Sequence, residues 1–346
     1  MKIHVQTLDR KIWRKELLTE FLYKCYINKQ TIEIDFAPEG SCATALGLYR
    51  LLDEFCLRTG YNKNQITINT GNMIEQHPDY IINKQASSWY EVNGIQEWLH
   101  NKVLNINTTP TKHFANFSSR SNWYRLWIAT ILNKYYNNKT IQTYHYDPLR
   151  ENANGNGYIG LDDLINFKCD IVVDAVEFIK TCPRTIDIEY LQNLDNCKNG
   201  TFQHENSYYP IQHPTNLNLL QYYNDIFVDI ICEPNVSGNC FLVTEKLWRC
   251  IIAKRPFIVM SNPNYLANLR KLGFKTFAEF WSEEYDLVGI HDRITHIEKL
   301  LNSISNWPVE TLHTKLNDMQ LILDHNYNNF LNLSINQIQE IFNEDI

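Results

Sequence analysis

The residues best placed to do chemistry stand in one short segment, Thr244-Glu245-Lys246, at the start of a predicted helix. Thr244 is a suitable N-cap residue, and the apolar residues that follow it lie on one helical face. Lys246 falls in the first helical turn, where the helix dipole disfavours a cation. A bound anion would remove this conflict, and helix N-termini beside polar loops bind phosphate well. The segment therefore predicts a phosphate site.

The same residues also allow a plainer interpretation, and the pattern alone leaves both open. Glu245 would oppose the helix dipole and pair with Arg249 four residues later, while Lys246 would be solvated. The chain has no Asp-x-Asp motif that would hold a cation against a diphosphate, and Asp187-Ile-Glu189 is the nearest approach. Without a metal, a diphosphate leaving group must be neutralised by Lys, Arg and helix dipoles. We therefore expect no metal site and assign this role to Lys246.

A second anion site is predicted in the segment from His113 to Arg125. A predicted strand ends there in a polar turn that opens a helix, with Arg120 at the turn and Arg125 in the first helical turns. Arginine binds phosphate through two parallel hydrogen bonds. In the alternative interpretation, these arginines cap the helix or pair with neighbouring carboxylates.

Carboxylates follow three other predicted strands, and each could be a general base or an ordinary loop residue: Glu39, Glu75 and Asp147. Parallel-sheet proteins bind ligands beyond the carboxyl ends of their strands. We select Glu39 as the catalytic base. A Gly-x-Gly-x-x-Gly pattern at residues 155–160 has no strand before it, so we predict a flexible loop there rather than a dinucleotide site.

Short apolar strands alternate with amphipathic helices along the chain, a pattern typical of parallel, doubly wound α/β sheets. The apolar run from Phe227 to Cys232 predicts the strand that leads to Thr244. We predict two Rossmann-like domains, residues 1–195 and 196–308. Helices in the C-terminal segment, residues 309–346, would cross back toward the N-terminal domain.

Composition narrows the class of protein. The 346 residues carry a formal net charge of −7, which gives no global support for a role in coating nucleic acid. No apolar run of about 18 residues predicts a membrane span, and the first residues lack an apolar signal region. The nine cysteines are an odd number without Cys-x-x-Cys, which favours reduced core thiols. We expect a cytoplasmic protein, and the Asn, Ile and Tyr bias suggests a viral source in a host cytoplasm.

The text from Glu233-Pro-Asn235 to Thr244-Glu245-Lys246, with the strand at Pro256-Phe-Ile-Val after it, resembles the donor-binding motif of the α1,3-fucosyltransferase family. The segment around Arg120 is similar to that family's Ser-x-x-Arg stretch, and the two motifs follow in the same order. The stronger similarity covers about residues 227–286. The chain departs from the family text at Trp248 and Arg249, which leaves the donor base and sugar open.

The resemblance implies a GT-B glycosyltransferase that needs no metal and binds its nucleotide sugar mainly through the C-terminal domain. By position, Glu245 would hold the ribose hydroxyls. Lys246 and Arg120 would face the diphosphate, and Glu233 and Asn235 would line the sugar-phosphate pocket.

We therefore expect inverting transfer of a sugar from a GDP- or UDP-linked donor, with no further cofactor. The acceptor would be a hydroxyl of a glycan, a protein or a modified DNA base. Two other classes stay open: a non-catalytic protein that binds a nucleotide or nucleotide sugar, and a structural virion or scaffold protein.

Overall fold

The computed structural model describes residues 1–5, 15–36, 41–85, 91–100, 109–118, 121–144, 160–182, 184 and 220–343. Within these ranges the protein is α/β and contains two four-stranded sheets. Neighbouring strands run parallel in both sheets, which confirms the predicted α/β class with parallel strands.

The N-terminal sheet keeps its strands in chain order. Right-handed crossovers therefore put its two connecting helices on one face, where their apolar side chains cover the inward residues of β2 and β3. The other face is polar, because Lys2 pairs there with Glu33 and Asp35, and both carboxylates accept hydrogen bonds from Asn69. Within the described residues, the helices that connect the strands of this sheet therefore cover one face. Its elements are β1 (Lys2–Val5), α1 (Lys15–Ile27), β2 (Ile32–Phe36), α2 (Leu48–Thr59), β3 (Ile66–Thr70) and β4 (Ile81–Lys84).

The C-terminal sheet has the order β6-β5-β7-β8 and is doubly wound. The chain moves from β5 to β6 in one direction and from β7 to β8 in the other, so right-handed crossovers place α4 and α7 on opposite faces. The direction reverses between β5 and β7, and that position is the topological switch point. The elements are β5 (Lys112–Ser118), α4 (Trp123–Tyr136), β6 (Thr140–Tyr144), β7 (Ile226–Cys232), α7 (Glu245–Ile252) and β8 (Phe257–Met260).

The division between the two sheets differs from the predicted boundary near residue 195. β5 pairs with β6 on one side and with β7 on the other, where Ala115 lies opposite Asp229, so both β5 and β6 belong to the C-terminal sheet. The sheets are therefore divided between Lys84 and Lys112. Alternation of strands and helices gives the order of elements but does not say which sheet a strand joins.

The C-terminal helices contact elements of both sheets. Lys84 Nζ, at the end of β4, donates to the carbonyl of Phe342 at 2.5 Å. Gln96 Nε2 donates to the carbonyls of Phe330 at 2.6 Å and Leu333 at 2.7 Å. The tail thus ties the two halves together. The other helices are α3 (Glu91–His100), α5 (Leu161–Lys168), α6 (Val172–Ile179), α8 (Tyr265–Lys271), α9 (Ile290–Ser305), α10 (Val309–Asp318), α11 (Gln320–Asn332) and α12 (Ile335–Asn343).

Candidate functional site

The two predicted anion segments meet at the switch point of the C-terminal sheet. β5 leads to the start of α4, and β7 leads into residues 233–244, here called the 233–244 loop, which ends at α7. Tyr124 Oη, in the first turn of α4, donates to the carbonyls of Glu233 at 2.8 Å and Pro234 at 2.6 Å. Ligands of α/β proteins bind at this place in the fold. The start of α4 therefore holds the loop that carries the second motif.

Glu233 is buried and positions the end of the loop. Its Oε2 accepts from the Thr244 hydroxyl at 2.6 Å, and its Oε1 accepts from the Thr244 amide at 3.2 Å and from Tyr265 Oη at 2.8 Å. Only 1% of the residue is exposed, and this burial raises the pKa of the carboxyl group above its ordinary value. Glu233 therefore holds Thr244 through both of its carboxylate oxygens.

Thr244 occupies the N-cap position of α7 with extended backbone, as predicted, but its hydroxyl does not cap the helix. That hydroxyl donates to Glu233 and accepts from Lys246 Nζ at 3.1 Å. A capping side chain would have satisfied one of the first amide groups of the helix. The first amide groups of α7, at the positive end of the helix dipole, therefore do not donate to the Thr244 hydroxyl.

Lys246 has a carboxylate partner in the structure. Its Nζ lies 2.7 Å from Oε1 of Glu245, and the two side chains are 12% and 30% exposed. Burial raises the pKa of Glu245, but the charge and hydrogen bond of Lys246 together with the charge of Arg249 outweigh it, and the net pKa is lowered. The positive charge of Lys246 is thus already paired within the chain, with the carboxylate of Glu245.

Arg249 does not form the predicted i,i+4 ion pair with Glu245 but anchors α7 to the sheet. Its Nε donates to Tyr223 Oη at 2.8 Å, and its Nη2 lies 3.7 Å from Asp229 Oδ2. Tyr223 in turn donates to the same carboxylate, and the guanidinium lies 5.1 Å from the ring centre of Phe117. Arg249 is 3% exposed and Asp229 is 1% exposed. This buried cluster fixes where the N-terminus of α7 stands above β7.

Arg125 is also a structural residue in this arrangement. It is 7% exposed, and its Nη2 donates to the carbonyl of Cys232 at 3.3 Å. Its amide donates to Oδ1 of Asn122, which caps α4. The side chain therefore braces the end of β7, a role that neither interpretation of the sequence included.

Gly160 brings a further element against the start of α4. It has a φ of +79°, and a Cβ added to it would lie 2.2 Å from the backbone nitrogen of Trp123. Gly160 thus packs the N-terminus of α5 onto α4. Gly155 and Gly157 lie outside the described residues.

Three predicted residues cannot be placed with the others. Glu39, Arg120 and Asp147 lie outside the described residues. Asn235 is half-buried in the 233–244 loop, and its carbonyl accepts from Ser261 Oγ at 3.5 Å. Residues 237–239 beside it are exposed, so the outer rim of the loop is open to solvent.

Several residues that build the site carry no sequence signal that we used. Tyr124 and Tyr265 are hydrogen-bonded to Glu233 or its carbonyl, yet each reads as an ordinary aromatic position on a helix. Asp229 had a usable signal, because a charged residue in the middle of an apolar strand requires a buried partner. Asn72, which follows β3, contacts the 233–244 loop from the other half of the molecule.

In the part of the chain that the structure describes, no group of three or more His, Cys, Asp or Glu side chains is arranged to hold a metal ion. The described helices also include none that is both long enough and apolar enough to cross a membrane.

Comparisons with known proteins do not assign the chain to a family. No protein-family model matches it, and neither a curated protein nor a solved structure matches it.

Proposed function

We propose that the protein is a metal-independent glycosyltransferase of GT-B architecture, with two Rossmann-like domains. It would bind a nucleotide sugar at the switch point of the C-terminal sheet. One observation carries the proposal: the start of α4 and the loop that leads to Thr244-Glu245-Lys246 follow the adjacent strands β5 and β7, between which the strand order of the sheet reverses, and Tyr124 joins them. The sequence alone could not show that these two segments share a sheet.

In this proposal the diphosphate binds at the N-terminus of α7. It takes the place of Glu245 beside Lys246 Nζ, now 2.7 Å from that carboxylate, and the released Glu245 accepts hydrogen bonds from the ribose hydroxyls. The helix dipole and the ammonium then both face negative charge. The burial of Lys246, whose side chain is 12% exposed, strengthens its interaction with the phosphate oxygens.

The proposed reaction is an inverting displacement at the anomeric carbon. A base removes the proton of the acceptor hydroxyl, its oxygen forms the new glycosidic bond, and the bond to the diphosphate breaks. Lys246, Arg120 and the helix end stabilise the departing diphosphate. Glu39 stays our assignment for the base. The acceptor is a hydroxyl of a glycan, a protein or a modified DNA base, and salt-dependent retention on a DNA column would single out the last.

A non-catalytic nucleotide-sugar protein is the second candidate, and one observation favours it. Three carboxylates around the 233–244 loop are already engaged: Glu233 and Glu75 in hydrogen bonds and Glu245 with Lys246. None of these three carboxylates is thus free to act as a base in this arrangement, whereas binding of a nucleotide sugar needs no base.

The two candidates are separated by incubation with labelled UDP, GDP, dTDP and CDP sugars in the presence of chelator. Transfer predicts release of nucleoside diphosphate together with sugar on an acceptor, while the second candidate predicts binding without release. Lys246→Ala should lower transfer at least about a hundredfold, because the charge-assisted contacts are lost in the transition state.

Lys134→Ala is the matched control, because Lys134 also pairs with a carboxylate, Asp174, at 2.7 Å but lies in the last turn of α4. It should leave transfer unchanged. Lys134→Ala should change the free energy of unfolding by no more than about 1 kcal/mol, as expected for a largely exposed ion pair. Lys246 is mostly buried, so Lys246→Ala should cost more stability, and transfer is measured at a temperature where both variants are fully folded. Equal turnover by Lys246→Ala and the parent protein would refute the assigned role.

A further inference from the structure

We infer that Asn72, in the N-terminal half of the molecule, is a positioning residue for the 233–244 loop and thereby for the proposed nucleotide-sugar site. The inference rests on the proposed function only for the identity of the ligand. The contact between the two halves stands on the geometry alone.

Asn72 links two loops through its side chain. Its Nδ2 donates to the carbonyl of Asn239 at 2.9 Å, and its Oδ1 accepts from the amide of Phe241 at 2.9 Å. The adjacent amide of Met73 donates to the carbonyl of Phe241 at 3.4 Å. The carboxamide of Asn72 thus binds the loop through both a donor and an acceptor. The acceptor contact, with Phe241, lies three residues before Thr244.

The other atoms of this carboxamide are used on its own side of the contact. Nδ2 also donates to Glu75 Oε2 at 2.8 Å, and Oδ1 also accepts from the amide of Ile74 at 3.3 Å. Asn72 is 0% exposed, so its carboxamide is shielded from water. An asparagine amide offers two donors, and here both are paired. This full use fixes the orientation of the carboxamide.

Glu75 in turn fixes Asn72. Its carboxylate accepts from the amide of Ala43 at 3.1 Å and from Tyr49 Oη at 3.0 Å, in addition to Asn72. Glu75 is 4% exposed. These three hydrogen bonds engage both oxygens of the Glu75 carboxylate, which therefore anchors the Asn72 carboxamide.

A close approach of backbone at Gly238 shows that the loop is seated on the N-terminal half. A Cβ added there would lie 2.8 Å from Cβ of Cys42 and 3.0 Å from Cβ of Ala45. Only a residue without a side chain fits at that distance. The segment 238–241 is therefore held on one side by residues 42–45 and on the other by Asn72.

The consequence concerns Lys246. Glu233 and Tyr124 fix the start and end of the 233–244 loop from within the C-terminal sheet. Asn72 fixes its middle from the other half of the molecule. Loss of the Asn72 carboxamide should release residues 239–243, and the N-terminus of α7 would then spend less time in the geometry that binds phosphate.

Hydrogen–deuterium exchange of the full-length protein tests this without any ligand. Asn72→Ala should speed exchange of the Phe241 amide and its neighbours through Val243 about tenfold or more, the effect of losing a buried hydrogen bond. Asn72→Asp keeps an oxygen for the Phe241 amide but loses the donor to Asn239 and sets a second carboxyl group against Glu75 Oε2, so it should speed exchange at least as much. If Asn72→Ala is poorly folded, Asn72→Ser, which also lacks the carboxamide but keeps a polar group, decides the outcome.

Asn326→Ala is the matched control. Asn326 is 2% exposed and likewise pairs with backbone through both ends of its amide, accepting from Lys275 N at 2.8 Å and donating to its carbonyl at 2.9 Å. It should leave exchange of residues 239–243 unchanged. Equal exchange there in the Asn72 variants and in this control would overturn the inference.

Kinetics with the donor sugar then separate positioning from mere folding. Asn72→Ala should raise the KM for the nucleotide sugar about tenfold with kcat changed less than about threefold, and Asn326→Ala should change neither. If the parent protein binds none of the sugars tested, the proposed function fails. The exchange result still decides whether Asn72 holds the loop.

Discussion

At Glu233 a carboxylate is buried beneath the N-cap of α7 and accepts hydrogen bonds from Thr244 and Tyr265. A buried carboxylate costs free energy unless its oxygens are paired, and here both are. The positive charge of Lys246 favours the ionised form of Glu233. Lys246 Nζ also bonds to the same Thr244 hydroxyl, at 3.1 Å. The order Tyr265, Glu233, Thr244, Lys246 is therefore one connected network, and the geometry of the proposed anion site depends on its buried end.

The raised pKa of Glu233 gives a pH dependence that can be measured. Burial raises the pKa of Glu233 in the folded state above the ordinary value of 4.5. At a pH between the ordinary pKa and the folded-state pKa, the folded protein holds a proton on this carboxyl group that the unfolded chain has released. The free energy of unfolding must therefore fall as pH rises through that window, by at most about 1.4 kcal/mol per pH unit. Glu233→Gln should lack this contribution in urea denaturation from pH 4.5 to 8.

The difference in unfolding free energy between the parent and Glu233→Gln is the quantity to follow, because other groups titrate in both proteins alike. Tyr265→Phe serves as the control, since it removes one hydrogen bond to Glu233 but leaves a titrating carboxyl group. A difference that stays constant with pH would show that the carboxyl group is not perturbed.

At the scale of elements, α4 and α7, the helices that follow β5 and β7, are both largely buried. Residues 123–132 of α4 and 247–252 of α7 are buried without interruption. A helix that is apolar all round must be covered on every side. α5 contributes to that cover at the start of α4 through Gly160, where no side chain fits.

Gly160→Ala should destabilise the protein more than an alanine at another left-handed glycine. Both Gly160 and Gly60 have positive φ, at +79° and +68°, so an alanine at either position costs about 1 kcal/mol in backbone strain. Gly60 has no neighbouring atom within 4 Å of an added Cβ, whereas at Gly160 the backbone of Trp123 must move. Urea denaturation should give a loss of about 3 kcal/mol for Gly160→Ala and about 1 kcal/mol for Gly60→Ala. Similar losses for the two variants would contradict the close packing of α5 on α4.

Elements with a clear period could be predicted from the sequence. The strand predicted from Phe227 to Cys232 is observed from Ile226 to Cys232. The helix predicted to follow the polar turn before Arg125 is observed from Trp123 to Tyr136. β4 was missed, because Ile81-Ile-Asn-Lys is short and carries two polar residues. α3 was missed as well, although Val92, Ile95 and Leu99 are spaced for one helical face.

At the scale of the whole molecule, the two sheets are joined by buried polar contacts. Asn72 and Lys84 each bond across the junction, to the 233–244 loop and to the carbonyl of Phe342. Phe342 also packs against Phe241, with ring centres 5.3 Å apart. The C-terminal helix α12 thus contacts both the N-terminal sheet and the loop beside the proposed site.

Such a junction predicts one cooperative unfolding transition. In scanning calorimetry the parent protein should show a single peak, because neither half can lose its structure without exposing paired polar groups of the other. Phe342→Ala should lower the midpoint, since removing a buried phenylalanine side chain costs about 3–5 kcal/mol. Two separate peaks for the parent protein would contradict the coupling.

The assembly of the site could be predicted only in part. The residues of the Thr244-Glu245-Lys246 segment were found from their types and spacing, because capping and dipole effects are local. The ion pair of Lys246 with Glu245 was not, since adjacent residues in a helix do not normally face each other. The membership of β5 in the C-terminal sheet depends on long-range pairing with β7, on which local pattern gives no information.

The central claim is that the N-terminus of α7, with Lys246, binds the diphosphate of a nucleotide sugar. Thermal denaturation in the presence of chelator, with UDP, GDP, dTDP and CDP sugars, tests it most directly, because a ligand that binds only the folded state raises the melting temperature. At least one of these sugars should raise the midpoint of the parent protein by several degrees and leave that of Lys246→Ala unchanged. No shift with any of them, or an equal shift in the parent and the variant, would contradict the claim.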